Sequence, residues 1–179
     1  MKTYKIAVIN LGSTSTKVAY YEGETQVCQE NIKHSVKELE KFTDIKDQID
    51  YRYAKINAYF KEKGIDLNSI DCIASRGGNI SPHPGGVYKI TKKFFEEGIS
   101  GKYGSHPCGL GPGIALKIAE MGPKAISVDP PTTDEFNVLA RYSGLAEIKR
   151  ISSFQALNQR AVAKKYAKKA GKKYEDLNL

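Results

Sequence analysis

Residues 4–9 (YKIAVI) place apolar side chains on both alternating faces, the pattern of a strand buried within a sheet and not lying along its rim. Residues 17–21 (KVAYY) and 26–32 (QVCQENI) follow after short breaks, with Gly23 marking the second, so three strands joined by tight turns and paired antiparallel are expected. Helical periodicity then takes over. Ile49, Tyr53, Ile56 and Phe60 recur at helical spacing, and Gly64 stands where a helix commonly stops. A strand is expected over 70–74. Pro112 suits the first turn of a helix carrying Ile114, Leu116, Ile118 and Met121 and closed by Gly122. Residues 125–128 predict a further buried strand that reaches Asp129, beyond which Pro130 and Pro131 bar extension. Two more helices are expected, over 134–142 and 152–170, the second opened by a capping box of Ser152 and Gln155. Three antiparallel strands followed by helix, strand, helix and strand predict an α/β fold with a mixed sheet.

Composition agrees with a packed core. The chain has 179 residues, 40% apolar and 27% charged, which excludes wholesale disorder. No run approaches the roughly 18 to 20 apolar residues that span a bilayer, and the opening MKTYKIAVIN lacks the apolar core of a secretion signal, so no membrane association and a cytoplasmic location are expected. Cys28, Cys72 and Cys108 fit neither a disulfide framework nor close-paired zinc spacing and read as reduced thiols. The net charge of +8 is concentrated in residues 141–179, which hold ten Lys/Arg against three Asp/Glu. A basic tail admits a nucleic-acid-binding module. Its lysine-rich stretch 161–170 (AVAKKYAKKA) has the look of a solvated helix face, and it lacks interleaved aromatics beyond Tyr166.

Four places carry candidate chemistry. The turn Asn10-Leu11-Gly12-Ser13-Thr14-Ser15-Thr16-Lys17 gathers a glycine, hydroxyls, a carboxamide and an ammonium. Such a turn can hold phosphate through backbone N–H groups, hydroxyls and Lys17, although the same residues also build ordinary polar hairpins. It is no P-loop, because it leads into a strand and the GxxxxGK[ST] spacing is missing. A second glycine cluster, Gly109 to Gly113, has Ile114 where a dinucleotide fingerprint needs its third glycine, and reads as a glycine-rich helix entry. Arg76 emerges from a strand end beside Gly77 and Gly78, where its planar fork can reach a carboxylate or phosphate. His106 can donate to a phosphoryl group or stabilise its turn. Asp129 sits at the C-terminal edge of a buried strand, a position suited to orienting Mg²⁺ through water or to capping the turn before Pro130. His34 and His83 lack partners at metal-ligand spacing and read as structural.

Together the runs 9–17 (INLGSTSTK), 75–78 (SRGG), 84–88 (PGGVY), 128–130 (VDP), 154–159 (FQALNQ) and 161–163 (AVA) resemble the butyrate kinases, short-chain fatty acid kinases of the acetate kinase group. The resemblance extends from about Lys5 to Leu179. It implies the actin-like ATPase fold, each half of which carries a ribonuclease-H-like sheet opening with three antiparallel strands. It also implies reversible transfer of the ATP γ-phosphoryl group to a short-chain carboxylate such as butyrate, with ATP/ADP and Mg²⁺ as cofactors and no nucleic-acid partner.

A carboxylate is already nucleophilic, so such chemistry rests on positioning and charge neutralisation. By resemblance, Arg76 binds the carboxylate or the transferring phosphoryl and His106 donates to its oxygens, while Asn10 and Asp129 lie near metal and phosphates. Gly12, Ser13, Thr14, Ser15 and Lys17 line the phosphate loop. Two positions depart from the family pattern: Leu11 replaces a usual proline, and Gln155 replaces a histidine, keeping a hydrogen-bond donor without its charge. Relatives continue into a second domain. The expected division is therefore an actin-like ATPase domain over 1–129 and the opening helices of a second domain over 130–179. The chain is accordingly expected to be a fragment inactive alone, with homodimerisation a property of the intact protein. The rival expectations are a basic-tailed nucleic-acid-binding module and a non-catalytic nucleotide-binding domain.

Overall fold

The computed structural model describes residues 2–152 and 156–178. Strands β1 (Lys5–Leu11), β2 (Ser15–Glu22), β3 (Thr25–Lys33), β4 (Cys72–Ser75), β5 (Val87–Lys89) and β6 (Lys124–Val128) form one mixed sheet in the order β3-β2-β1-β4-β6-β5. The first three pair antiparallel. β1, β4 and β6 run parallel and adjacent, and β5 closes the far edge antiparallel to β6.

The helices are α1 (Val36–Leu39), α2 (Gln48–Glu62), α3 (Lys92–Ile99), α4 (Leu110–Ala119) and α5 (Ala156–Ala170). α2, α3 and α4 cover one face of the sheet, where Ala7, Ile9, Leu11, Val18, Tyr20, Ile73 and Ala125 meet Ile56, Phe60, Phe94, Ile114 and Ile118. The alternation of β1 follows: Ala7, Ile9 and Leu11 are buried, whereas Ile6, Val8 and Asn10 are half-buried on the opposite face. Ala19, Ala74, Ile126 and Val128 continue that second face.

β5 and α3 lie within a stretch that the hydrophobic pattern leaves as loop. Thr91 caps α3, its Oγ1 accepting from the Phe94 N–H at 3.2 Å, and Phe94 enters the core. α3 approaches the loop after β4 backbone to backbone: a Cβ on Gly78 would lie 2.9 Å from the Gly98 backbone and 3.1 Å from Gly109 Cα. Gly109, Gly111 and Gly113 are themselves buried at the entry of α4, a packing role and not a dinucleotide loop.

The helix expected over 134–142 does not form; a single 3-10 turn at Leu139–Arg141 stands there. The Asp134 carboxylate accepts from the backbone N–H groups of Phe136 and Ser152 and holds the Arg141 guanidinium at 2.9 and 3.1 Å. Asn137 likewise accepts from the Ala140 N–H. Short polar side chains that bond nearby backbone in this way compete with helix. α5 begins at Ala156, and the expected Ser152–Gln155 capping box lies outside the described residues.

β3 leads into His34, which is 3% exposed and bonded through Nε2 to Thr16 Oγ1 at 2.8 Å. Burial, reinforced by the nearby Arg52 charge, pulls its pKa down to about 4. The unfolded chain therefore binds a proton near pH 6.5 that the folded chain refuses until about pH 4. Stability contributed by neutral His34 is complete above pH 6.5 and drains away as the pH falls toward 4, by on the order of 2–3 kcal/mol. Urea midpoints at pH 7 and pH 5 should show this loss in the parent and a smaller one in His34→Gln; equal losses would contradict it. Gly78→Ala should cost about 2 kcal/mol by overpacking against Gly98, read as a lower urea midpoint at unchanged slope, whereas an unchanged midpoint would show that the contact yields freely.

Candidate functional site

Because β1, β4 and β6 are parallel neighbours, their C-terminal ends open at one sheet edge, the usual ligand position in open α/β sheets. A crevice of about 310 Å³ lies there, lined by Val8, Ile9 and Asn10 of β1, Ala74 and Ser75 of β4, Arg76, Val128 of β6 and Leu157 of α5. Its walls are largely aliphatic, and Asn10 and Arg76 are among the residues that line it. Asn10 and Arg76, 66 residues apart in sequence, thus share one cavity. Asp129 follows Val128 at its rim.

Arg76 is half-buried, and its backbone N–H donates to the Ile9 carbonyl at 3.2 Å, continuing the β1–β4 ladder one residue past β4. Gly77 behind it has φ +87°, and any Cβ there would collide with the Ser127 hydroxyl, so a glycine lets the chain turn away and leaves Arg76 at the mouth. Burial raises the Cys108 thiol pKa, and the Arg76 charge tempers that rise.

Asp129 adopts φ +40°, the sole positive φ outside glycine among the described residues. The strained turn is held on both sides: Asp129 N–H donates to the Gly86 carbonyl at 3.0 Å, and Gly86 N–H donates back to Asp129 Oδ1 at 2.8 Å. Arg160 of α5 adds an ion pair to Oδ1 at 3.1 Å and a second to Glu135, whose Oε1 accepts from Gly85 N–H at 2.8 Å. A Cβ on Gly85 would displace the Arg160 guanidinium from its present place beside Glu135. Arg160 went unnoticed in the sequence, where it reads as one more cation of a basic tail. In the fold it ties α5 to the sheet edge, helped by buried Ala163 and Ala167 on the same helix face and by Lys168 against Glu24.

The turn between β1 and β2 is closed by the Gly12 N–H donating to the Ser15 carbonyl at 2.8 Å, with Ser13 and Thr14 exposed at its tip. Lys17 pairs with Asn10 across the ladder and lines an adjoining depression of about 420 Å³ that shares Val8 and Asn10 with the crevice. Behind the turn stands Arg52, fully buried and also unforeseen from sequence. Its guanidinium donates to the carbonyls of Gly12 (3.0 Å), Ser13 (2.8 Å) and Ser15 (3.3 Å) and to Thr16 Oγ1 (3.1 Å), while Nε donates to Gln48. One signal was available: Arg52 lies three residues after Ile49 and four before Ile56, on the apolar stripe of α2.

His106 is exposed and lines neither cavity. Its Nδ1 accepts from the Cys108 N–H at 3.1 Å at the start of a 3-10 turn, so the neutral ring carries its proton on Nε2, directed away from the turn. Among the described residues no cluster of three or more His, Cys, Asp or Glu could hold a metal unaided, and no helix is long and apolar enough to cross a membrane. Gln155, the departure from the family pattern, lies outside the described residues.

No family model matches the chain. Individual proteins do. It is 44% identical over 177 residues to butyrate kinase 2 of Clostridium acetobutylicum and 43% identical to butyrate kinase 1 of the same organism, in each case over 98% of this chain and 50% of the relative. A probable butyrate kinase of Listeria innocua is 37% identical over 99% of this chain and 50% of its own length. The chain thus spans about half the length of the curated relatives it matches. Among solved structures, acetate kinase of Porphyromonas gingivalis superposes with a TM-score of 0.66 at 14% identity, over 96% of this chain and 50% of that one. A propionate kinase from Francisella tularensis gives 0.57 at 13% identity, over 95% and 50%. These two establish the fold, an actin-like ATPase sheet. Over the half of their length that it spans, the chain is similar to the curated butyrate kinases at 37–44% identity.

Proposed function

We propose that the chain forms the carboxylate-binding part of an ATP-dependent kinase for short-chain carboxylates such as butyrate. In the reaction a carboxylate oxygen bonds to the γ-phosphorus of ATP as the bond from that phosphorus to the β–γ bridging oxygen breaks, giving an acyl phosphate and ADP; the reverse reaction makes ATP. The observation that carries this reading is the crevice in which Asn10 and Arg76 cap an aliphatic wall of Val8, Ala74, Val128 and Leu157. An alkyl tail gains by leaving water for such a wall, and a guanidinium fork matches the carboxylate at its end.

The difficulty of the reaction is bringing one anion against another. Arg76 answers it at the mouth of the crevice, and the loop 12–15 with Lys17 offers further donors a few residues from Asn10. His106 would supply an Nε2–H donor to the transferring group. Mg²⁺ would screen phosphate charge when bound. It usually keeps several waters and takes only one or two carboxylates plus substrate phosphates. Asp129 suits that sparse mode: its side chain is 10% exposed, Oδ1 is engaged by Gly86 and Arg160, and Oδ2 takes no hydrogen bond among the described residues. Asn10 and Asp129 are therefore the residues we assign to it.

We assign residues 1–129 to the first domain and 130–179 to the opening of a second. Val138, Leu139, Tyr142, Leu145, Ile148 and Ile151 are all more than half exposed, which supports a missing apolar partner surface over that segment. On this reading the chain is a piece of a longer cytoplasmic protein, with any homodimer formed by the whole. In the full-length protein, Arg76→Ala should lower kcat/KM for butyrate by about 10³-fold in a coupled ADP-release assay. An Arg76→Ala enzyme with parental kcat/KM would remove the assignment. The isolated 179-residue chain should release no ADP above background; turnover comparable with the whole protein would overturn the division.

A further inference from the structure

The buried Arg52 has no role in the reading above, yet it is an unusual residue energetically. It is fully buried, and among the described residues no carboxylate touches it. Burial lowers its pKa, with only Tyr51 opposing. A buried charge normally requires an ionic partner, since taking it out of water is costly. Among the described residues, its hydrogen bonds go to three backbone carbonyls and two side-chain oxygens. His34, the nearest titratable ring through Thr16, is held neutral and adds no second positive charge.

The direction of those carbonyls has a consequence. Each peptide unit is planar, and none is cis, so its C=O and N–H point opposite ways. With the Gly12 and Ser13 carbonyls turned inward onto Arg52, the N–H groups of Ser13 and Thr14 face outward at the exposed tip. The Thr14 carbonyl is likewise taken, by the His34 N–H at 2.9 Å. Successive outward N–H groups form a concavity suited to anions, and Arg52 places a full positive charge immediately behind it.

We propose that Arg52 is the positioning residue of the phosphate loop: it fixes the 12–15 turn with its amides outward and completes its own charge balance when a polyphosphate binds at the tip. This rests on the reading that the loop receives phosphate. The ligand class is the phosphate chain of a nucleoside triphosphate, contacted on its oxygens and without base recognition.

The test is an amide NMR titration of the 179-residue chain with inorganic tripolyphosphate at low ionic strength. The parent should show saturable shifts centred on Ser13, Thr14 and Ser15. Arg52→Lys keeps the charge but loses the fork and should bind several-fold more weakly; Arg52→Met should bind at least about tenfold more weakly, with the remaining sheet resonances in place. A folded Arg52→Met chain with parental affinity overturns the inference, as does Arg52→Lys binding no better than Arg52→Met. Should Arg52→Met not fold, Arg52→Lys with parental affinity and parental hydrogen exchange at Ser13 and Thr14 overturns it. Absence of any parental shift at residues 12–15 sinks both this inference and the phosphate-loop assignment, whereas the Arg76→Ala assay tests the carboxylate reading separately.

Discussion

Parallel pairing of β1, β4 and β6 is the constraint on which everything else in this molecule rests. It brings Asn10, Arg76 and Asp129, which lie 66 and 53 residues apart in sequence, to one edge of one sheet. Antiparallel strands would have alternated those ends between opposite edges. The helices then load a single face, because Ala7, Ile9, Leu11 and Ile73 must leave water, and the opposite face remains half-covered around the crevice. The glycines at 77 and 78 serve the same geometry, one by turning the chain and the other by admitting α3.

Charge is distributed differently from what the tail suggests. The basic excess of residues 141–179 is mostly solvated, while three arginines set the electrostatics of the sheet edge from inside. Arg76 faces the crevice, Arg160 neutralises Asp129 and Glu135, and Arg52 supports the β1–β2 turn. Arg160 also makes the sheet edge sensitive to α5, since the carboxylate assigned to metal is the one that α5 holds. Any rearrangement of α5 relative to the sheet would change the charge presented at Asp129.

The strands and helices with sustained periodicity were readable directly: β1 to β3, α2, β4, α4 and β6 all stand within a few residues of the hydrophobic pattern. β5 was missed because three residues are too few to alternate, and α3 because eight residues barely make two turns, though Thr91 before Phe94 was a usable capping signal. The helix expected over 134–142 failed because Asp134 and Asn137 bond the nearby Phe136 and Ala140 N–H groups, and Ser152, 18 residues on, engages Asp134 as well. Turn chemistry and strand ends singled out Asn10, Arg76 and Asp129, and the parallel strands bring these three to one sheet edge. Arg160 was opaque because Asp129 lies 31 residues away and a long-range contact leaves no periodic trace. Arg52, whose turn partners lie 36 to 40 residues away, was marked only by its place on the apolar stripe of α2.

The central claim is that one crevice at the ends of β1, β4 and β6 receives a short acyl group with its anionic end on Arg76. The most direct measurement is the structure of the chain soaked or co-crystallised with butyryl phosphate or a stable analogue. The account predicts an alkyl chain against Val8, Ala74, Val128 and Leu157 with acyl or phosphoryl oxygens on Arg76. Density for the ligand on the lysine face of α5, with the crevice closed, would contradict it.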